Sequence, residues 1–366
     1  MDILARPGLK LPLEILQLII ESLVLGNPGT ILPPSDETTK ALLAWTRVCR
    51  ATHQIASTLL WRHCSYIDSP ERLDDYYHAL MHLSPDDARR PTNLFLGLYC
   101  ELRYPDAHSV SLDAWPCWSR GLALPGGQTD DEIVWAVGNL LRDLASTLRR
   151  LVIEMPLEQL KCREDIEEDA REDMLYSLRH AFAALVHLEE FVSCNDHFSF
   201  STRREVGETE VWATCWPKLR RLALHSPELS ASSEIWGQMV RLPRLELVVF
   251  SCDDSFDVFT GADIKQELLH ALDANNAATG GVQVQGGRRK IHLVVVDCFC
   301  YGYQDPHPND DRARVDLLDV TRTLDTAQIC TGIRTGDRPS NVTLSWLKQN
   351  ALNGTLWDAA SQNLVD

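Results

Sequence analysis

Long apolar runs are missing from this chain. The most apolar stretch, residues 15–25, is interrupted by Gln17, Glu21 and Ser22 and is too short to span a bilayer. Positive charge is in deficit: 35 Lys and Arg stand against 52 Asp and Glu, a formal net charge of −17. Nucleic-acid binders carry a basic face, so this balance argues against nucleic acid as a partner. A leader with an apolar centre and a small-residue cleavage site is not visible, so the expected location is cytoplasmic and/or nuclear, with no membrane partner. The 11 cysteines are odd in number and follow no framework spacing, and they read as reduced thiols. On the same reading the sequons at Asn341 and Asn353 go unmodified.

Catalytic signatures are also missing. There is no G-x-S-x-G, no H-E-x-x-H and no phosphate-loop lysine. The glycine-rich stretch 280–287 lacks a following Gly-Lys-Ser/Thr and reads as a flexible turn. Cys298 and Cys300 place two thiols on one face of a strand, without the second pair that zinc needs. The acidic run 164–173 lacks the glycine and spacing of a calcium loop and reads as a solvated helix face or exposed loop. Metal, cofactor and enzymatic activity are therefore not expected.

What remains is the mix of a folded protein, with 45% hydrophobic and 24% charged residues. Two textures divide it. Residues 1–75 read as a small helical module. Leu13, Leu16, Ile19, Ile20 and Leu23 recur at spacings of three and four, one stripe of a helix that Pro12 opens. Residues 26–34 hold three prolines and two glycines and cannot continue it. Ser35-Asp36-Glu37-Thr38 caps a second helix, carrying Leu42, Leu43, Trp45 and Val48. Residues 50–60 either extend it or form a third. Such a module is near the lower limit for a stable core and must pack on something else.

From about residue 90 to 366, strand-length apolar runs alternate with amphipathic helical stretches. The runs begin near Asn93, Leu148, His187, Lys218, Arg244 and Lys290. Four share one grammar, L-x-x-L-x-L: Leu148/Leu151/Ile153, Leu219/Leu222/Leu224, Leu245/Val248/Phe250 and Ile291/Val294/Val296. Helices are expected over 130–144, 171–188, 232–242 and 262–272, with a final helix or cap within 342–364. Strand–helix alternation implies an α/β fold with a parallel sheet. The grammar points to an irregular leucine-rich-repeat-like solenoid, although its period wanders from about 26 to about 46 residues where regular repeats hold 20–29. An ordinary α/β domain is the alternative. Arg149/Arg150 and Arg220/Arg221 occupy equivalent places in two runs and are either a ligand-facing stripe or ordinary polar positions. The tryptophans, among them Trp135, Trp216 and Trp236, are expected mainly as packing residues.

The N-terminal pieces together resemble an F-box. They are Leu11-Pro12-x-Glu14-Ile15-Leu16, Ile19-Ile20, Leu23, Leu42-Leu43, Val48-Cys49-Arg50, Ile55-Ala56 and Leu60-Trp61. The match covers about 50 residues, in the family's order. It departs in one place: residues 24–40 form a linker about a dozen residues longer than the family's turn between the first two helices, as in a fungal-type variant. The resemblance implies a substrate-recognition subunit of a Skp–cullin–F-box ubiquitin ligase. Its helical module would bind the Skp-type adaptor, and its repeat-like domain a client protein. By position, Leu11, Pro12, Ile15, Leu16, Ile19, Leu42, Val48 and Trp61 map to the docking surface or its support. The competing expectation is a repeat-containing interaction scaffold that engages no ligase.

Overall fold

Strand-forming residues of this chain come in short blocks, each buried on both sides, which is the pattern of a covered parallel sheet. The computed structural model describes residues 12–24, 27–84, 87, 89–98, 130–155, 157, 167–194, 214–225, 227, 235–251, 261–278, 290–297, 312–319 and 339–362. Eight strands form one sheet in chain order, all neighbours parallel. They are β1 (Tyr66–Ile67), β2 (Asn93–Leu96), β3 (Arg150–Ile153), β4 (Glu190–Ser193), β5 (Arg221–His225), β6 (Leu247–Ser251), β7 (Ile291–Asp297) and β8 (Ala313–Asp319). All six apolar runs contain a strand. The sheet starts at Tyr66, well before residue 90; β1 is only two residues long, and β8 breaks its apolar residues with Arg314, Asp316 and Asp319, so neither forms a dense apolar run.

One face of the sheet is a continuous apolar row: Leu94, Leu151, Phe191, Leu222, Val248, Leu293 and Val315 lie side by side in register. Among the described residues, five helices pack on that face: α4 (Pro70–Met81), α5 (Asp130–Leu144), α6 (Glu168–Ala183), α7 (Ile235–Arg241) and α8 (Gly261–Ala278). Register corrects one reading of the repeat grammar. In β7 the residue equivalent to Leu151 is Leu293, so Val294 and Val296 belong to the opposite face. β7 is apolar on both faces, and a two-sided apolar strand does not announce its own register. Helix α8 also runs on to Ala278, past the end expected at residue 272. Helix α4 is an addition; Ser69 caps it, accepting from Arg72 N at 3.3 Å, and Pro70 opens its first turn.

The opposite face carries Phe95, Val152, Val192, Ala223, Val249 and Val294 in one row. It is covered by α9 (Pro339–Asn353) and α10 (Leu356–Gln362), whose Leu347, Ala351, Leu356 and Trp357 are buried against it. Gly354 turns the chain between these helices at φ 73°, where a side chain would be strained. The expected C-terminal helix is therefore a helix pair, and the sheet is sandwiched.

Candidate functional site

The N-terminal helices are α1 (Leu13–Ser22), α2 (Glu37–Trp45) and α3 (Arg50–His63). Pro12 sits just ahead of α1, and its carbonyl accepts from Ile15 N at 3.1 Å. Asp36 caps α2, accepting from Thr38 N at 2.7 Å, as expected from the sequence. The chain leaves the helix after Trp45, and Cys49 starts α3 with Thr52 as reciprocal cap, so residues 50–63 form a third helix. Those hydrogen bonds from Thr52 hold the Cys49 thiol below its ordinary pKa.

The module's own core is small: Ile20, Leu42, Ala56 and Leu59, with Leu23, Trp45, Ile55 and Leu60 packed beside them. Most of the α1 stripe stays outside it. Leu13, Ile15, Leu18 and Ile19 are exposed, and so are Leu43 on α2 and Val48 in the turn that follows. Leu18 and Val48 are 61% and 63% accessible, values at which an apolar side chain stands in water. Ile15, Leu18 and Ile19, spaced three and four apart, share one exposed face of α1, and clustered exposed apolar residues mark interaction surfaces.

The eight sequence-derived positions divide accordingly. Leu11 lies outside the described residues. Pro12, Ile15, Ile19 and Val48 are exposed on the surface, and Leu16 is half-buried. Leu42 is fully buried and acts as support. Trp61 turns toward the sheet body, its ring 5.1 Å edge-on from Tyr76 of α4. Leu13, Leu18 and Leu43 are exposed too, although none is among the eight positions; their exposure depends on how α1 and α2 turn against α3.

The long linker is built into the structure. Asn27 Nδ2 donates to Gly354 O at 2.6 Å, Ile31 N to Leu352 O at 2.7 Å, and Thr30 Oγ1 to Asn353 O at 3.1 Å. Leu32 N donates to His63 O at 2.6 Å, and Asn93 Nδ2 on β2 to Pro28 O at 3.2 Å. Ile31 is buried with the α9–α10 face. The linker thus bonds to α3, to the sheet and to the C-terminal helices, and none of these contacts involves the exposed side chains of α1.

Arg150, on β3, ties the linker and the C-terminal helices to the sheet. Its guanidinium donates to Gly29 O of the linker and to Ala351 O of α9, and its Nε lies 3.4 Å from Glu190 Oε2. Glu190 also receives Arg221 Nη1 and Trp357 Nε1, both at 2.8 Å. Lys348 reaches Glu154 and lies 5.2 Å over the Phe95 ring. Arg150 and Arg221 are therefore structural, flanking Glu190 on a covered face. Arg149 and Arg220 lie at the strand starts, paired with Glu189 and Glu246. Burial pushes the Cys64 thiol, beside Thr39, up to about 11 and holds His63 below its ordinary value.

Chemistry-bearing clusters do not converge here. Among the described residues no group of three His, Cys, Asp or Glu has metal-site geometry, and no helix is long and apolar enough to cross a membrane. Trp216 and Trp236 are buried packing residues, whereas Trp135 is exposed. Cys298, Cys300 and the glycine-rich stretch lie outside the described residues, as does the acidic run up to residue 166. No family model, curated protein or solved structure matches this chain.

Proposed function

We propose that this chain is a substrate receptor of a Skp–cullin–F-box ubiquitin ligase. The observation that carries the reading is the exposed apolar surface of α1, α2 and the following turn: Leu13, Ile15, Leu18, Ile19, Leu43 and Val48. These residues fall within the segment that resembles an F-box, and a Skp-type adaptor is the occupant that the resemblance implies. The inserted linker, the one departure from the family pattern, makes its hydrogen bonds to α3, β2 and the C-terminal helices, not to the exposed side chains of α1. Strands in chain order with crossover helices on one face are compatible with a degenerate leucine-rich-repeat-like solenoid as the client-binding part.

The test is direct binding of a purified Skp-type adaptor to the whole chain. Ile15→Asp/Leu18→Asp should abolish it, by at least about a hundredfold, because each charge would be buried in the interface. Both side chains are exposed in the free chain, so the circular dichroism and melting temperature should hold. A folded wild-type chain that captures no adaptor would leave the competing reading, an interaction scaffold outside any ligase.

A further inference from the structure

One stretch of this acidic chain holds no acid. Residues 38–67 contain no Asp or Glu, where the chain's average of 52 in 366 would place about four. They contain Lys40, Arg47, Arg50 and Arg62 instead, against a net charge of −17 for the whole. The stretch runs through α2, the turn after it, α3 and β1. Lys40 pairs with Glu37 at 2.7 Å, just as Arg72 meets Asp68, Arg149 meets Glu189 and Arg220 meets Glu246. Arg47 and Arg50 are exposed, and neither makes an ion pair among the described residues. The turn that carries them is ordered. Arg47 N donates to Ala44 O at 3.1 Å, Val48 N to Trp45 O at 3.3 Å and Cys49 N to Thr52 Oγ1 at 3.1 Å. His53, exposed at the start of α3, folds back on the turn, its Nδ1 donating to Thr46 O at 3.0 Å. Two unpaired cations thus stand within two residues of Val48, with the His53 ring against the same turn.

A solvated arginine is an ordinary surface residue. The place of these two sets them apart, because Val48 between them belongs to the exposed apolar surface that includes Ile15, Leu18, Ile19 and Leu43. Protein interfaces put apolar residues at the centre and charges at the rim, where the charges steer encounter and select the partner. We infer that Arg47 and Arg50 are the basic rim of the adaptor-docking surface, and that the adaptor segment covering Val48 is acidic, with Asp or Glu side chains facing the two guanidinium groups. This inference rests on the receptor reading and adds to it the charge of the partner's face. The acid-free stretch serves the same end. No carboxylate within residues 38–67 competes for the two arginines, so their field reaches an approaching anion unopposed by their own elements.

The experiment is biolayer interferometry of the full-length chain on an immobilised Skp-type adaptor, from about 50 to about 500 mM NaCl. Association of the wild type should slow steeply as salt rises. Arg47→Glu/Arg50→Glu should lower the association rate at low salt by about tenfold or more and flatten its salt dependence. Arg47→Lys/Arg50→Lys keeps the charge and should stay within about threefold of wild type. Arg62→Glu/Arg241→Glu makes the same change of net charge elsewhere, on exposed residues of α3 and α7. Arg62 lies about 18 Å along α3 from Arg50, so this control should change the rate less than about twofold. The rim reversal should leave the melting temperature unchanged, since both side chains are exposed and a Glu at the start of α3 suits the helix dipole. Adaptor binding with the same salt dependence in wild type and in Arg47→Glu/Arg50→Glu, or an equal loss in the control, would overturn the inference and leave the receptor reading standing. Self-association of the chain that the rim reversal abolishes would overturn it in favour of a second copy as the acidic partner. A folded wild type that holds no adaptor at any salt concentration would overturn the receptor reading, and the inference with it.

Discussion

His63 shows how one side chain registers the state of the linker. It is buried at the end of α3, its Nδ1 3.3 Å from Thr30 O and its own carbonyl accepting from Leu32 N. Burial, with a lesser contribution from Arg62, disfavours the imidazolium and holds the folded pKa below 6.5. The unfolded chain then takes up a proton near pH 6.5 that the folded chain resists. The stabilisation is complete above pH 6.5 and is lost as pH falls toward the folded value. Melting temperatures of wild type and His63→Gln, followed from pH 7.5 to 5.0, should diverge, with wild type falling more steeply below 6.5. Parallel curves would remove His63 as the sensor.

Among elements, the α9–α10 turn is a tight joint. A Cβ on Gly354 would meet the Gly29 backbone at 3.0 Å, and φ is already 73°. Gly354→Ala should cost at least about 1 kcal/mol in urea denaturation, since neither the dihedral nor the linker backbone yields cheaply. Gly237 in α7 is the opposite case, with nothing within 4 Å of an added Cβ. Gly237→Ala should gain up to about 1 kcal/mol, by removing backbone freedom from the unfolded chain.

Elements also show what a reader of the sequence can and cannot see. Strands β2 to β7 were legible because each is a dense apolar block, and α2 because Asp36 stands where a cap belongs. The cover on the second sheet face was not. Pairing α9–α10 with that face depends on contacts such as Arg150 to Ala351, 201 residues apart, which no local pattern encodes. The same holds for the candidate surface: periodicity marks Leu42 and Ile15 alike as apolar, and only the packing of three helices buries one and exposes the other.

At the scale of the molecule, the helical module and the sheet body are joined by Trp61 packing on the body and by a set of polar contacts from the linker. Ile31 is the one buried apolar residue among the described residues of the linker, and Arg150, Asn27, Asn93 and Thr30 hold its polar contacts. Removing a buried cation that holds two carbonyls and a carboxylate costs about 3–5 kcal/mol. In wild type, hydrogen exchange should therefore show α3 and β3 opening together. In Arg150→Ala the α3 amides should exchange well ahead of those of β3; unchanged protection of α3 would show that the joint lies elsewhere.

The C-terminal helices touch the sheet from Phe95 and Glu154 at one end to β6 and β7 at the other. A sheet whose strands contact only their neighbours can, in principle, gain or lose a unit anywhere along its length. Here that freedom is withdrawn. The helix pair acts as a caliper of fixed opening: one more strand would carry β7 about 4.8 Å beyond its reach, and one fewer would crowd it against the linker. The number of units in this protein is thus set by a brace made after all of them in the chain.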